Sequence, residues 1–149
     1  MKAVHIISLL GRLAFMLTMI IGLLFWVAQI SFLSILFQFL LQIGLRNIHE
    51  LLGIVGAAAL LTLGILAVRV RGARLSGVGS IFYAFLLPAF GLTQAAILVG
   101  NLHWLIQIFH LLVGIGAMYL ARETEKRYQH LTSTRDKHVE SGIAVLQDI

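Results

Sequence analysis

An imidazole set inside a run of apolar residues has two chemical uses: its nitrogen lone pair can bind a metal, or the ring can carry a proton near neutral pH. Two histidines in this chain share a local pattern. His49 opens HELLGIVGA and His110 opens HLLVGIGA, each with glycine four residues on, isoleucine next, and a Gly-Ala pair soon after. If the metal is haem iron, the flat macrocycle must fit between helices, and a side chain one turn from the ligand would strike its edge. Gly53 and Gly114 stand at that position and clear it. Two such histidines on facing helices would hold one bis-histidine b-type haem without covalent attachment. His49 and His110 are therefore the expected metal ligands. His103, earlier on the same segment as His110, is the alternative. Arg46 is a candidate partner for a haem propionate; as a plain alternative it is a solvated loop arginine with Glu50 one turn on.

Those residues need helices to position them, and the composition says in what solvent. The chain has 149 residues, of which 60% are hydrophobic and 11% charged; its mean hydropathy is +0.98. A soluble domain carries roughly 25% charged residues, and so short a chain cannot hide this much apolar surface in an aqueous core. Lipid is the matching solvent. Four stretches are long enough to span, since about 20 residues at 1.5 Å each cross the hydrocarbon. They are Leu13–Ala28, Asn47–Val68, Val78–Val99 and Leu102–Leu120. Unpaired backbone groups are too costly in lipid for open strands, so the spans are helices. The expected fold is an all-α integral membrane four-helix bundle over residues 1–122, followed by a short polar cytosolic tail over 123–149 that begins as a short helix and becomes flexible. QISFLSILFQFLLQIGL, between the first two spans, lies in the interface or extends its neighbours; both readings stay open. Arg12 interrupts the first apolar run and no small-x-small cleavage site follows it, so that run is read as a retained membrane helix rather than a signal peptide.

Lys2, Arg12, Arg69, Arg71, Arg74, Arg122, Lys126 and Arg127 all fall on one side of this arrangement, and Arg46 on the other. The positive-inside rule then places both termini in the cytoplasm, in a bacterial inner or plasma membrane. The net charge of +5 is spread over the ends of apolar runs rather than along one face, which argues against nucleic acid as a partner.

On the second span, steps of three and four residues from His49 reach Gly53, Gly56, Leu60, Gly64 and Ala67. On the fourth, the same walk from His103 reaches Gln107, His110, Gly114, Ala117 and Ala121. These are single faces at helical period. Small residues at this spacing also serve plain close packing of membrane helices. Depth separates the candidate ligands. His49 stands 20 residues before Arg69 and His103 19 before Arg122, which makes those two level and His110 two turns deeper. Pairing His49 with His110 therefore requires one helix to slide or tilt.

The other polar groups carry less. Thr18, Gln29 and Gln94 are candidates for bonds between helices, with a quinone contact as a minor alternative. Pro88 is expected to kink the third span. Trp26 and Trp104 suit an aromatic belt. His5, His130 and His138 lie in terminal regions and are read as solvated. There is no cysteine, which removes disulfides, thiolate metal sites and covalent c-type haem. No Ser-His-Asp set, carboxylate pair or phosphate loop is present, so at most the chain is an electron-transfer subunit. The spans carry no acidic residue beyond the boundary Glu50, which lowers a proton-coupled transporter or pump.

With these histidines in place, the layout resembles that of four-helix membrane b-type cytochromes, whose second and fourth helices carry the haem-ligand histidines. The resemblance covers roughly Asn47 to Leu120. Di-haem members carry two spaced histidines on each ligand helix; this chain has one on its second, so the resemblance implies at most one haem b. In size and layout the chain is also similar to small bacterial DoxX-like membrane proteins, which implies no site residues. Two further readings stand beside the cytochrome: a cofactor-free accessory subunit of a larger membrane complex or homo-oligomer, and a small-solute transporter.

Overall fold

A computed structural model of the chain describes residues 2–28, 34–97, 100 and 102–147, with the side chains of 28, 34, 36, 37, 42, 95 and 136–147 excepted. The helices are α1 (Lys2–Ala28), α2 (Ser34–Gln42), α3 (Leu45–Val68), α4 (Arg74–Thr93) and α5 (His103–Gln147), with a 3-10 turn over Gln94–Ala96. α1, α3, α4 and α5 are each long and apolar enough to cross a membrane. They form the four-helix bundle that the composition requires.

Glycine contacts fix the order of the helices. Along α1 and α3, Gly11 faces Ala59, Phe15 covers Gly56 and Gly22 meets His49, so the two run antiparallel. Gly64 and Gly77 bring α3 against α4, Ser80 and Thr124 join α4 to α5, and Met19 lies on Gly114 between α1 and α5. The result is an up-down-up-down bundle in the cyclic order α1, α3, α4, α5. α3 and α5 also touch across the short diagonal, whereas α1 and α4 do not meet among the described residues. Gly44, at φ 72°, turns the chain from α2 into α3 in a left-handed conformation that glycine adopts without cost.

Small residues predominate inside, around a few large ones, and large apolar residues predominate outside. Leu60, Ala67 and Ala117 are fully buried, as the two expected faces require, while Leu75, Phe82 and Leu92 stand exposed at 84%, 64% and 77%. Between helices in lipid there is no hydrophobic gain to collect, so close van der Waals approach through small residues holds them together. The closest approach of one helix backbone to another at a glycine is at Gly64 and Gly77. A Cβ at Gly77 would come within 2.7 Å of Val68 N, and one at Gly64 within 2.8 Å of Gly77 O.

Several boundaries differ from the sequence reading, among them the start of α4, at Arg74 rather than Val78. α1 starts at Lys2 rather than Leu13, because Arg12 has an anionic partner across the bundle and does not need to leave it. α4 ends at Thr93, short of the expected Val99, which lies outside the described residues, and it runs through Pro88 as a continuous helix. Beyond Glu123 the chain continues α5 unbroken to Gln147 instead of giving way to a flexible tail. Arg127 bonds Glu123 at 2.6 Å and Gln129 bonds Glu125 at 3.0 Å, both one turn apart, which supports the extension.

Gly77→Ala is expected to lower bundle stability by about 1–3 kcal/mol, the usual cost of overpacking. Gly53→Ala, whose Cβ would meet nothing nearer than Thr18 Cγ2 at 4.0 Å, should leave stability unchanged or slightly raised. Thermal unfolding of the two variants in one detergent compares them directly.

Candidate functional site

His49 lies on the second turn of α3 and His110 on the third of α5, both reached from the same end of the bundle. Their rings face each other with centroids 6.4 Å apart and planes tilted by 42°. In each, Nδ1 is buried and has no hydrogen-bond partner. An unpartnered buried polar atom costs about 1–3 kcal/mol, so a native protein rarely keeps one without a use.

The surroundings are apolar and partly aromatic. Phe25 meets His49 edge-on at 6.1 Å, and Phe90 stacks on His110 at 5.6 Å with planes 25° apart. The glycines that touch the imidazoles come from the flanking helices. A Cβ at Gly22 would lie 3.3 Å from His49 Cε1, and one at Gly91 3.7 Å from His110 Cε1. Gly53 and Gly114, one turn inward of the rings on their own helices, face Thr18 and Met19 of α1 instead. Gly22 and Gly91 were missed because they belong to spans without a central histidine; only the register of four helices brings them in.

The other expected residues fall apart from the pair. His103 is the first residue of α5, seven positions or about 10 Å of helix from His110, with Nδ1 3.4 Å from Ile97 O. Arg46 is exposed and bonds Glu50 at 3.0 Å. Thr18 donates to Ala14 O on its own helix, so its hydroxyl is not spent between helices. Gln94 opens the 3-10 turn after α4. Gln29 and the side chain of His138 lie outside the described residues.

The level of the pair corrects the depth estimate. Arg69 caps α3, but Arg122 is an exposed position on a helix that carries on past it. Gly72, just beyond α3, packs on Leu131. The inner end of α3 is thus level with the region near residue 130 of α5, not with Arg122, and His49 comes level with His110.

A second polar centre lies at the opposite end, and here the sequence reading needs correction. His5 is not simply solvated: its Nδ1 is 2.6 Å from Glu125 Oε1. Arg12 reaches the other carboxylate oxygen at 3.4 Å, and Gln129 Nε2 donates to Oε1 at 3.0 Å. The Glu125 side chain is only 7% exposed, so an acidic residue does sit within the packed bundle. The fully buried Ser8 flanks it from α1. Next to it on α5, Thr124 shares a buried 2.8 Å hydrogen bond with Ser80 of α4. The signal was present: one more four-residue step along Gly114, Ala117 and Ala121 lands on Glu125.

Chemically the two centres differ. Glu125 has its charge answered by partners and acts as a tie between α1 and α5. Each imidazole has a buried Nδ1 without a partner, although the His49 ring also meets the backbone of Thr18, and the pair is the candidate for ligand binding. Among the described residues no three of His, Cys, Asp or Glu gather as metal ligands. A metal held here by two imidazoles would therefore bring its remaining ligands with it, as a porphyrin iron does.

Removing one partner of a buried ion pair leaves the other uncompensated. Arg12→Met is expected to destabilise the bundle by about 2 kcal/mol, and Arg12→Met with Glu125→Gln by less than the sum of the two single changes. Unfolding midpoints of the three variants provide the coupling energy.

No family model matches the chain, and neither the curated proteins nor the solved structures contain a significant match to it.

Proposed function

We propose that this protein is a small membrane b-type cytochrome, or a haem-bearing subunit of one, with a single haem b held between His49 and His110. The observation that carries the reading is the pair of half-buried imidazoles, each with a buried, unpartnered Nδ1, at 6.4 Å. A metal bonded at about 2 Å to one nitrogen of each of two opposed imidazoles sets the ring centroids about 6 Å apart. The donor set also fits, since neutral imidazole in an apolar site is a common axial ligand.

When bound, haem iron would supply a one-electron couple. The chain's own residues do the rest. His49 and His110 hold the group from two helices whose register is set elsewhere in the bundle. Gly22 and Gly91 keep Cβ atoms away from the rings, and Gly53 and Gly114 thin the same faces one turn inward. Phe25 and Phe90, now packed on the imidazoles, are the rings that must turn aside to admit a macrocycle; once displaced they give it an apolar border. Arg46, at the outer edge of α3, is the candidate propionate partner in exchange for Glu50. His103 serves as a surface residue in this reading.

In orientation, we place both termini in the cytoplasm of a bacterial inner membrane, following the arginines at the α3–α4 end. The haem then lies near the outer face, His49 being about 6 Å of helix inside the start of α3. Electrons would pass between a quinol or a partner subunit and an acceptor on that side.

One set of observations favours a cofactor-free accessory subunit instead. Gly11, Gly56, Gly64 and Gly77 are all consumed by helix contacts, as a purely structural bundle would have it. The two readings separate on the histidines. After expression with ample haem, the purified protein should show reduced-minus-oxidised haem bands that His49→Ala or His110→Ala abolishes and His103→Ala retains. Absence of bands in the parent protein, or loss with His103→Ala but not with His110→Ala, would overturn the assignment.

A further inference from the structure

The loop from α3 to α4 and the outer face of α4 form a surface shaped like one membrane lipid. Arg69, Arg71 and Arg74 are all exposed there, and none takes part in an ion pair among the described residues. Among the described acidic side chains of α5, Glu123 and Glu125 are already engaged by Arg127 and by the α1 cluster. The loop is held in place: Gly72 packs against Leu131 of α5, and Ser76 bonds back to Ala73 O. Three cations are thus presented on a fixed turn, and no anion among the described side chains answers them.

Directly beyond them, α4 carries an unpartnered apolar stripe. Leu75, Val78, Phe82 and Phe85 recur at steps of three and four and are exposed at 84%, 55%, 64% and 64%. They share one helix face, with Arg74 at its upper border. From Leu75 to Phe85 the helix rises about 15 Å, half of a hydrocarbon core of about 30 Å. Cationic groups therefore sit at headgroup level, and the apolar track below them is one leaflet deep.

We infer that Arg71 and Arg74, supported by Arg69, bind the phosphate of an anionic phospholipid whose acyl chain lies along Leu75, Val78, Phe82 and Phe85. Arginine suits this role because its planar fork gives two parallel hydrogen bonds to phosphate oxygens. A zwitterionic lipid offers the same phosphate but brings its own ammonium, which competes for it. The charge of the headgroup therefore decides occupancy, and the stripe adds length but little discrimination. The inference is independent of haem and holds whichever leaflet faces this end.

The test uses the full chain in nanodiscs of equal phosphatidylglycerol and phosphatidylcholine, released into native mass spectrometry. Phosphatidylglycerol should be retained over phosphatidylcholine by about tenfold or more, and each of Arg71→Gln and Arg74→Gln should reduce that preference by about fivefold. Lys2→Gln with Lys126→Gln, which removes one more positive charge than either arginine variant, should leave it unchanged. Phe82→Ala should weaken retention of both lipids alike. Equal retention of the two lipids in the parent overturns the inference, as does an arginine effect no larger than that of the lysine control. A thermal shift with inorganic phosphate that equals the one with phosphatidylglycerol would assign the cluster to free phosphate and overturn it too.

Discussion

In hydrocarbon every polar group must find its partner within the protein, and helices gain nothing from burying apolar side chains against one another. This constraint sets the rest of the structure. Helices can associate only by coming close, so Gly, Ala and Ser recur on the facing surfaces around a few buried large residues such as Phe15, Leu60 and Leu63, while most Leu and Phe turn outward. Gly64 against Gly77 and Phe15 over Gly56 show how close the approach is. Once those contacts fix the register, the positions of the polar side chains are no longer free, and two polar centres result.

The two centres answer the same constraint in opposite ways. Around Glu125, His5, Arg12 and Gln129 satisfy a carboxylate that would otherwise be ruinous to bury. The carboxylate there is answered, with the buried Ser8 hydroxyl alone lacking a geometric hydrogen bond among the described residues of the cluster. The effect is mechanical: it fastens α1, whose backbone does not approach α4 among the described residues, to α5. At the other end the imidazoles face each other with a buried Nδ1 in each that no hydrogen bond satisfies, while the His49 ring also meets the backbone of Thr18. A bundle free to choose would have placed leucines there. That imbalance, not the presence of histidine alone, separates a candidate site from a structural cluster.

Much of the fold could be read from the residues. The four spans and the inward faces of α3 and α5 follow from helical period and from where the small residues fall, and the shared His-x-x-x-Gly-Ile motif points to His49 with His110 although the depth count does not. What escaped the reading depended on a third helix or on charge pairing across the bundle. Arg12 looked like a boundary because its partner is 113 positions away, at Glu125. Arg122 looked like the inner end of a span because an exposed arginine on a continuing helix cannot be told from a terminal one in one dimension. That error alone made His103, rather than His110, appear level with His49. Gly22 and Gly91 gain meaning only from the side chains opposite them.

Low-temperature electron paramagnetic resonance of the oxidised, haem-replete protein addresses the imidazole pair most directly. The account predicts a low-spin ferric signal of one haem per chain, the signature of iron with nitrogen ligands on both faces. A purified protein that carries no iron, or a high-spin signal from haem bound on one side only, would contradict it.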